Sequence, residues 1–128
     1  MFEDKNKPLK ILLVDDEKGF VDVISKRMSK RNIDVTKAYG GKDALQALRK
    51  TDFDAVILDL KMEDMGGIEL LKIFKKIVPD LPIIMLTGHG SEEAARDGMK
   101  FGAFDYLTKP CDFEELIAKI KDVVSSGR

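Results

Sequence analysis

Three short stretches of the chain are almost wholly apolar: residues 9–14, broken only by Lys10, then 55–58, then 82–86. Runs of this length predict strands buried on both faces. Residues 33–36 and 104–107 instead alternate apolar with polar side chains. That pattern predicts one wetter face, as at the edge of a sheet. Between the strands, apolar residues return at helical spacing. The stripes are Phe20, Ile24 and Met28; Ala44, Leu45 and Leu48; Leu70, Leu71, Phe74, Ile77 and Val78; Ala94, Ala95 and Met99; and Phe113, Leu116, Ile117, Ile120, Val123 and Val124. Asp112 and Glu115 open the last of these with the spacing of a capping box.

Five strands alternating with five helices predict an α/β fold, a doubly wound parallel sheet with helices on both faces. Three buried strands inside and two half-polar strands outside fit the order 2-1-3-4-5, which is flavodoxin-like. No repeat, linker or low-complexity tract interrupts the pattern. It reads as a single domain over residues 1–128, with its core at about 9–125.

Composition narrows the class of function. The 22 basic and 23 acidic residues nearly cancel, and no dense basic tract offers a surface for nucleic acid or for an anionic membrane. No apolar run approaches the ~20 residues of a membrane helix. Cys111 is the only cysteine, which fits a reducing compartment. A cytoplasmic protein is expected.

The polar residues collect where the strands end. Strand 1 runs into Asp15 and Asp16, strand 3 into Asp59, strand 4 into Thr87, and strand 5 into Lys109 and Pro110. In a parallel sheet these ends share one edge, and the order 2-1-3-4-5 reverses direction between strands 1 and 3, where ligands bind. Taken singly, each residue has an ordinary reading. Asp16 can cap a helix, Asp59 a turn, Thr87 a strand end; Lys109 can be a solvated charge, and His89 a loop residue. Cys111 lies at a helix start, which can lower a thiol pKa, but it also reads as structural.

Together they describe a chemistry. Two like charges ~4 Å apart repel by ~4 kcal/mol at an effective dielectric near 20, so three carboxylates in one cleft call for protons or a cation. Hard oxygen donors without histidine or cysteine suit Mg²⁺, which commonly also holds phosphate oxygens. A carboxylate beside it can attack phosphorus. Thr87 and Lys109 could bond and neutralise phosphoryl oxygens.

The pieces "LLVDDE", "VILDLKM", "IIMLTGHG" and "FDYLTKP" resemble, in order and spacing, the receiver domains of bacterial response regulators, of which the chemotaxis response regulator is the familiar example. The resemblance covers the chain from about Leu9 onward. It implies that Asp59 accepts a phosphoryl group from a histidine kinase or phosphotransfer protein. It further implies that Asp16 ligates Mg²⁺ directly (Mn²⁺ can substitute), Asp15 mainly through water, and Lys61 through its backbone carbonyl. By the same resemblance Thr87 binds the phosphoryl group, Lys109 pairs with it, and Tyr106 is the aromatic switch. Lys61 and His89 flank the path of the water that removes the phosphoryl group. The Lys109–Pro110 bond is expected to be cis. Output is expected through the face of helix 4, strand 5 and helix 5, to a fused domain, a partner protein or a second copy in a phosphorylation-dependent homodimer. The implied protein is a switch that phosphorylates and dephosphorylates itself with Mg²⁺, not an enzyme acting on other substrates.

Some positions depart from the common receiver pattern. Glu63 stands where proline is frequent, and Gly66 where Asp or Asn is frequent. With Gly67 following, the loop 61–67 is expected to be loose. "LTGHG" is similar to receivers attached to enhancer-binding activators. Two other classes fit less well. A haloacid-dehalogenase-like phosphohydrolase places a second Asp two residues after its nucleophile, where this chain has Lys61, and carries a cap insertion. A flavodoxin-like flavin-binding module needs a phosphate-binding loop after strand 1, where this chain has the acidic "DDEKG".

Overall fold

The computed structural model describes residues 7–62, 64–88 and 92–126. Strands β1 (Leu9–Val14), β2 (Ile33–Ala38), β3 (Ala55–Asp59), β4 (Ile83–Thr87) and β5 (Asp105–Thr108) alternate with helices α1 (Lys18–Ser29), α2 (Gly41–Lys50), α3 (Gly67–Ile77), α4 (Glu92–Lys100) and α5 (Phe113–Ser126). The strands pair in parallel in the order β2-β1-β3-β4-β5, as the sequence pattern predicts.

The period-two geometry of the strands divides the core into two layers. Ile11 and Leu13 of β1, Ile57 of β3, and Ile84 and Leu86 of β4 face α1 and α5, against Val21, Met28, Leu116 and Ile120. Leu12 and Val14, Val56 and Leu58, and Ile83 and Met85 face α2, α3 and α4, against Ala44, Leu70, Phe74 and Ala95. β1, β3 and β4 are therefore apolar at nearly every position, because both faces are covered. β2 and β5 carry exposed residues, as edge strands do.

The boundaries shift for local reasons. β2 continues past Thr36 because Lys37 and Ala38 still register with Leu13 and Val14, and an edge strand tolerates the polar Thr36–Lys37 pair. β5 begins at Asp105 rather than Phe104, although the Phe104 N–H still donates to Ile83 O at 2.8 Å. Along α4 the buried residues are Ala95 and Gly98, not Met99. Gly98 lies against the Met85 side chain, where no Cβ fits, and Met99 turns outward. Ile77 is likewise exposed at the end of α3. No helix among the described residues is long and apolar enough to cross a membrane.

Candidate functional site

The carboxyl ends of β1, β3, β4 and β5 open onto one cleft. Val14 registers with Leu58, so Asp15 and Asp59 emerge side by side. Asp15 is fully buried; its N–H donates to Ala38 O at 3.0 Å, and its Oδ1 accepts from the Glu17 N–H at 2.9 Å. Asp59 is buried as well, and its Oδ1 accepts from the Lys61 N–H at 3.2 Å. Thr87, buried at the end of β4, donates its hydroxyl to Leu107 O at 3.4 Å.

Lys109 reaches these groups because β5 carries it there: its N–H donates to Thr87 O at 2.7 Å. The Lys109–Pro110 bond is cis, as expected. Nζ lies 2.5 Å from Asp15 Oδ2, 2.7 Å from Glu17 Oε1 and 3.7 Å from Asp59 Oδ2. The ring of Phe20 lies 4.6 Å below the ammonium. Burial alone would lower the pKa of Lys109, but its hydrogen bonds to Asp15 and Glu17 hold it above the ordinary value.

One lysine does not neutralise this cleft. Burial, then the charge of Asp15, push the Asp59 carboxyl up to about 6; the Lys61 N–H and Lys109 oppose them, and Asp16 adds to the rise. Carboxylate oxygens of Asp15, Glu17 and Asp59 lie within 4.8 Å of one another. A convergent, all-oxygen, electron-rich donor set fits a hard divalent cation such as Mg²⁺ or Mn²⁺.

Glu17 is the residue that the sequence reading missed. Its only sequence signal is its place as the third acid in the run Asp15-Asp16-Glu17. Asp16, expected as the direct ligand, lies outside this convergent group. It lines an adjoining cleft of about 330 Å³ with Tyr39, Gly40, Lys42, Asp43 and Asp64. Nor is Asp16 the cap of α1, since the N-cap residue is Glu17, with no side-chain capping bond.

Tyr106 is half-buried on β5 against the core layer of α2, α3 and α4. The Lys61 side chain is exposed. His89 and Glu63 lie outside the described residues. Burial pushes the Cys111 thiol up rather than down, and the side chain packs on the core beside α5, which is the structural reading.

Gly67, read in the sequence as a source of backbone freedom, is needed here for a close approach. This glycine is buried, its N–H donates to Leu60 O at 3.2 Å, and a Cβ would fall 2.5 Å from Leu60 Cα and 2.6 Å from Asp59 O. Glycine stands there to let the first turn of α3 rest on the backbone of the Asp59 strand end.

Residues 11–121 match the response regulator receiver domain family. The chain is 36% identical over 122 residues to the transcriptional regulatory protein GlrR of Escherichia coli (strain K12), covering 95% of this chain and 28% of GlrR. It superposes on the receiver domain of the Francisella response regulator 1452 with a TM-score of 0.86 and 34% identity, covering 94% of this chain and 99% of that one. It also superposes on NtrX from Brucella abortus, solved with ADP, with a TM-score of 0.90 and 30% identity over 94% of this chain and 28% of NtrX. The chain belongs to the response regulator receiver domain family, the phosphoacceptor modules of two-component signal transduction. It spans little more than a quarter of the length of the curated relatives that it matches.

Proposed function

We propose that Asp59 is the phosphoacceptor. The observation that carries this reading is its setting: a buried carboxylate at a strand end, beside Asp15 and with the Lys109 ammonium 3.7 Å away. An Asp59 oxygen attacks the phosphorus of a phosphohistidine on a histidine kinase or phosphotransfer protein. The P–N bond breaks, the ring, already protonated on its other nitrogen, leaves as neutral imidazole, and an acyl phosphate forms. Asp15, Asp16, Asp59 and the Lys61 carbonyl would hold Mg²⁺, with Glu17 a further oxygen within reach. The ion would supply positive charge to the phosphoryl oxygens.

The chain's own groups complete the site. Lys109, already within a short swing of Asp59, pairs with a phosphoryl oxygen. The Thr87 hydroxyl leaves Leu107 O and donates to another. Its movement frees space that Tyr106 enters, which reshapes the α4–β5–α5 face. That face meets an output domain, a partner protein or a second copy of the chain in a phosphorylation-dependent homodimer. Lys61 and His89 are the residues that tune the lifetime of the acyl phosphate. The domain acts as a cytoplasmic switch and itself contacts neither nucleic acid nor membrane.

Borohydride reduction converts a phosphoaspartate to homoserine. After treatment with a phosphodonor and Mg²⁺, peptide mapping should find homoserine at position 59. Homoserine at another aspartate instead would overturn the assignment.

A further inference from the structure

We infer that Asp64 is a positioning residue that pins the loop after Asp59 onto the N-terminus of α2. The inference rests on the phosphoacceptor reading, because that loop carries the Lys61 carbonyl. The N-cap of α2 is Gly40, which has no side chain to receive the first N–H groups of the helix. Asp64, from the loop between β3 and α3, takes that part: the Gly41 N–H donates to its two carboxylate oxygens at 3.1 and 3.0 Å. A carboxylate at a helix N-terminus also meets the positive end of the helix dipole.

The two glycines form a notch shaped for this contact. A Cβ on Gly40 would lie 2.8 Å from Asp64 Oδ2, and one on Gly41 would lie 3.0 Å from both Cβ and Sδ of Met65. Backbone conformation does not explain Gly40, whose φ of −169° is extended and open to any residue. The close approach of Asp64 does. The loop is thus held twice: at its neck, where Gly67 donates to Leu60 O, and further along, where Asp64 meets Gly41. Lys61 lies between the two ties. Asp64 also forms one wall of the cleft that Asp16 lines. Here a loop that lacks the common proline and Asp or Asn gains its order from a contact far away in sequence.

The test measures Mg²⁺ affinity by calorimetric titration and amide exchange of Lys61 and Met62, in wild type, Asp64→Ala, Asp64→Asn, Gly40→Ala and Gly40→Ala/Asp64→Ala. Asp64→Ala and Gly40→Ala should each weaken Mg²⁺ binding roughly three- to tenfold, at or below the low end for groups that orient metal ligands, and speed exchange of both amides. The double variant should be no weaker than Asp64→Ala, since both changes remove one contact. Asp64→Asn, which keeps an acceptor for Gly41, should recover much of the affinity. Wild-type affinity and exchange in both single variants would overturn the inference. Additive losses would also overturn it, by showing that Gly40 acts apart from Asp64. If exchange quickens as predicted while wild type itself binds no Mg²⁺, the clamp stands as a structural tie, and it is the metal-site reading beneath it that fails.

Discussion

Lys109 Nζ lies 2.5 Å from Asp15 Oδ2 but 3.7 Å from Asp59 Oδ2. The lysine is bonded to a carboxylate that it can share with a cation, and it stands one short movement from the carboxylate that we assign as acceptor. Its ammonium is raised in pKa, so the charge and its stabilising effect are present throughout the neutral range and are lost only as pH rises through the folded-state value. Lys109→Ala leaves the buried Asp15 without its cation. In metal-free buffer it should cost about 2–4 kcal/mol in urea unfolding at pH 7, and added Mg²⁺ should restore part of the loss. An unchanged unfolding midpoint would show that the ion pair is not holding the cleft together.

Asp59 should show the opposite sign. Its carboxyl is raised from 3.8 to about 6, so folding favours the neutral form. Metal-free stability therefore falls as pH climbs from about 4 to about 6, and stays level above. A shift of this size corresponds to at most about 3 kcal/mol. Asp59→Asn should unfold later than wild type at pH 7, by about 1–3 kcal/mol, and the difference should vanish near pH 4. Saturating Mg²⁺ should narrow or reverse the order at pH 7. A variant less stable than wild type in metal-free buffer at pH 7 would contradict the strained carboxylate.

Asp16 and Glu17 have different tasks in this account. Asp16→Ala removes a proposed ligand and should weaken Mg²⁺ binding roughly tenfold or more. Glu17→Gln releases one of the two carboxylates that hold Lys109, leaving the lysine freer to meet a phosphoryl group, and should change Mg²⁺ affinity less. Calorimetric titration of both variants checks this. A larger loss in Glu17→Gln would move direct ligation from Asp16 to Glu17, in line with the carboxylate group that converges in the cleft.

The proposed switch would begin from a weak bond. Thr87 Oγ1 donates to Leu107 O at 3.4 Å, and Leu107 follows Tyr106 on β5. A long neutral hydrogen bond nets about 0.5–1.5 kcal/mol or less, whereas a bond to a charged group nets about 1.5–3 kcal/mol, so phosphorylation favours turning the hydroxyl. Beryllofluoride with Mg²⁺ should shift amide resonances of residues 105–108 in wild type. In Thr87→Ala the shifts should shrink to the surroundings of Asp59. Equal shifts in both proteins would route the signal around Thr87.

The sheet order was legible because continuous and alternating apolar runs report how many faces of a strand are covered. The gathering of Asp15, Asp59, Thr87 and Lys109 followed, since parallel strands end on one edge. What stayed hidden depends on approaches between distant segments. Glu17 reads only as a third acid until Lys109 arrives from β5. Gly67 reads as freedom until the backbone of Leu60 is seen against it. Gly98 reads as a gap in a stripe, although Met85 fills the space opposite. The Gly40–Gly41 pair gives no hint of Asp64, because their contact spans β3 and its loop.

Phosphoryl incorporation from radiolabelled acetyl phosphate, with and without Mg²⁺, tests the central claim most directly. Wild type should take up one acid-stable, base-labile phosphoryl group only with the metal. Asp59→Asn, shown to be folded by its unfolding curve, should take up none. Equal labelling of wild type and Asp59→Asn would contradict the account.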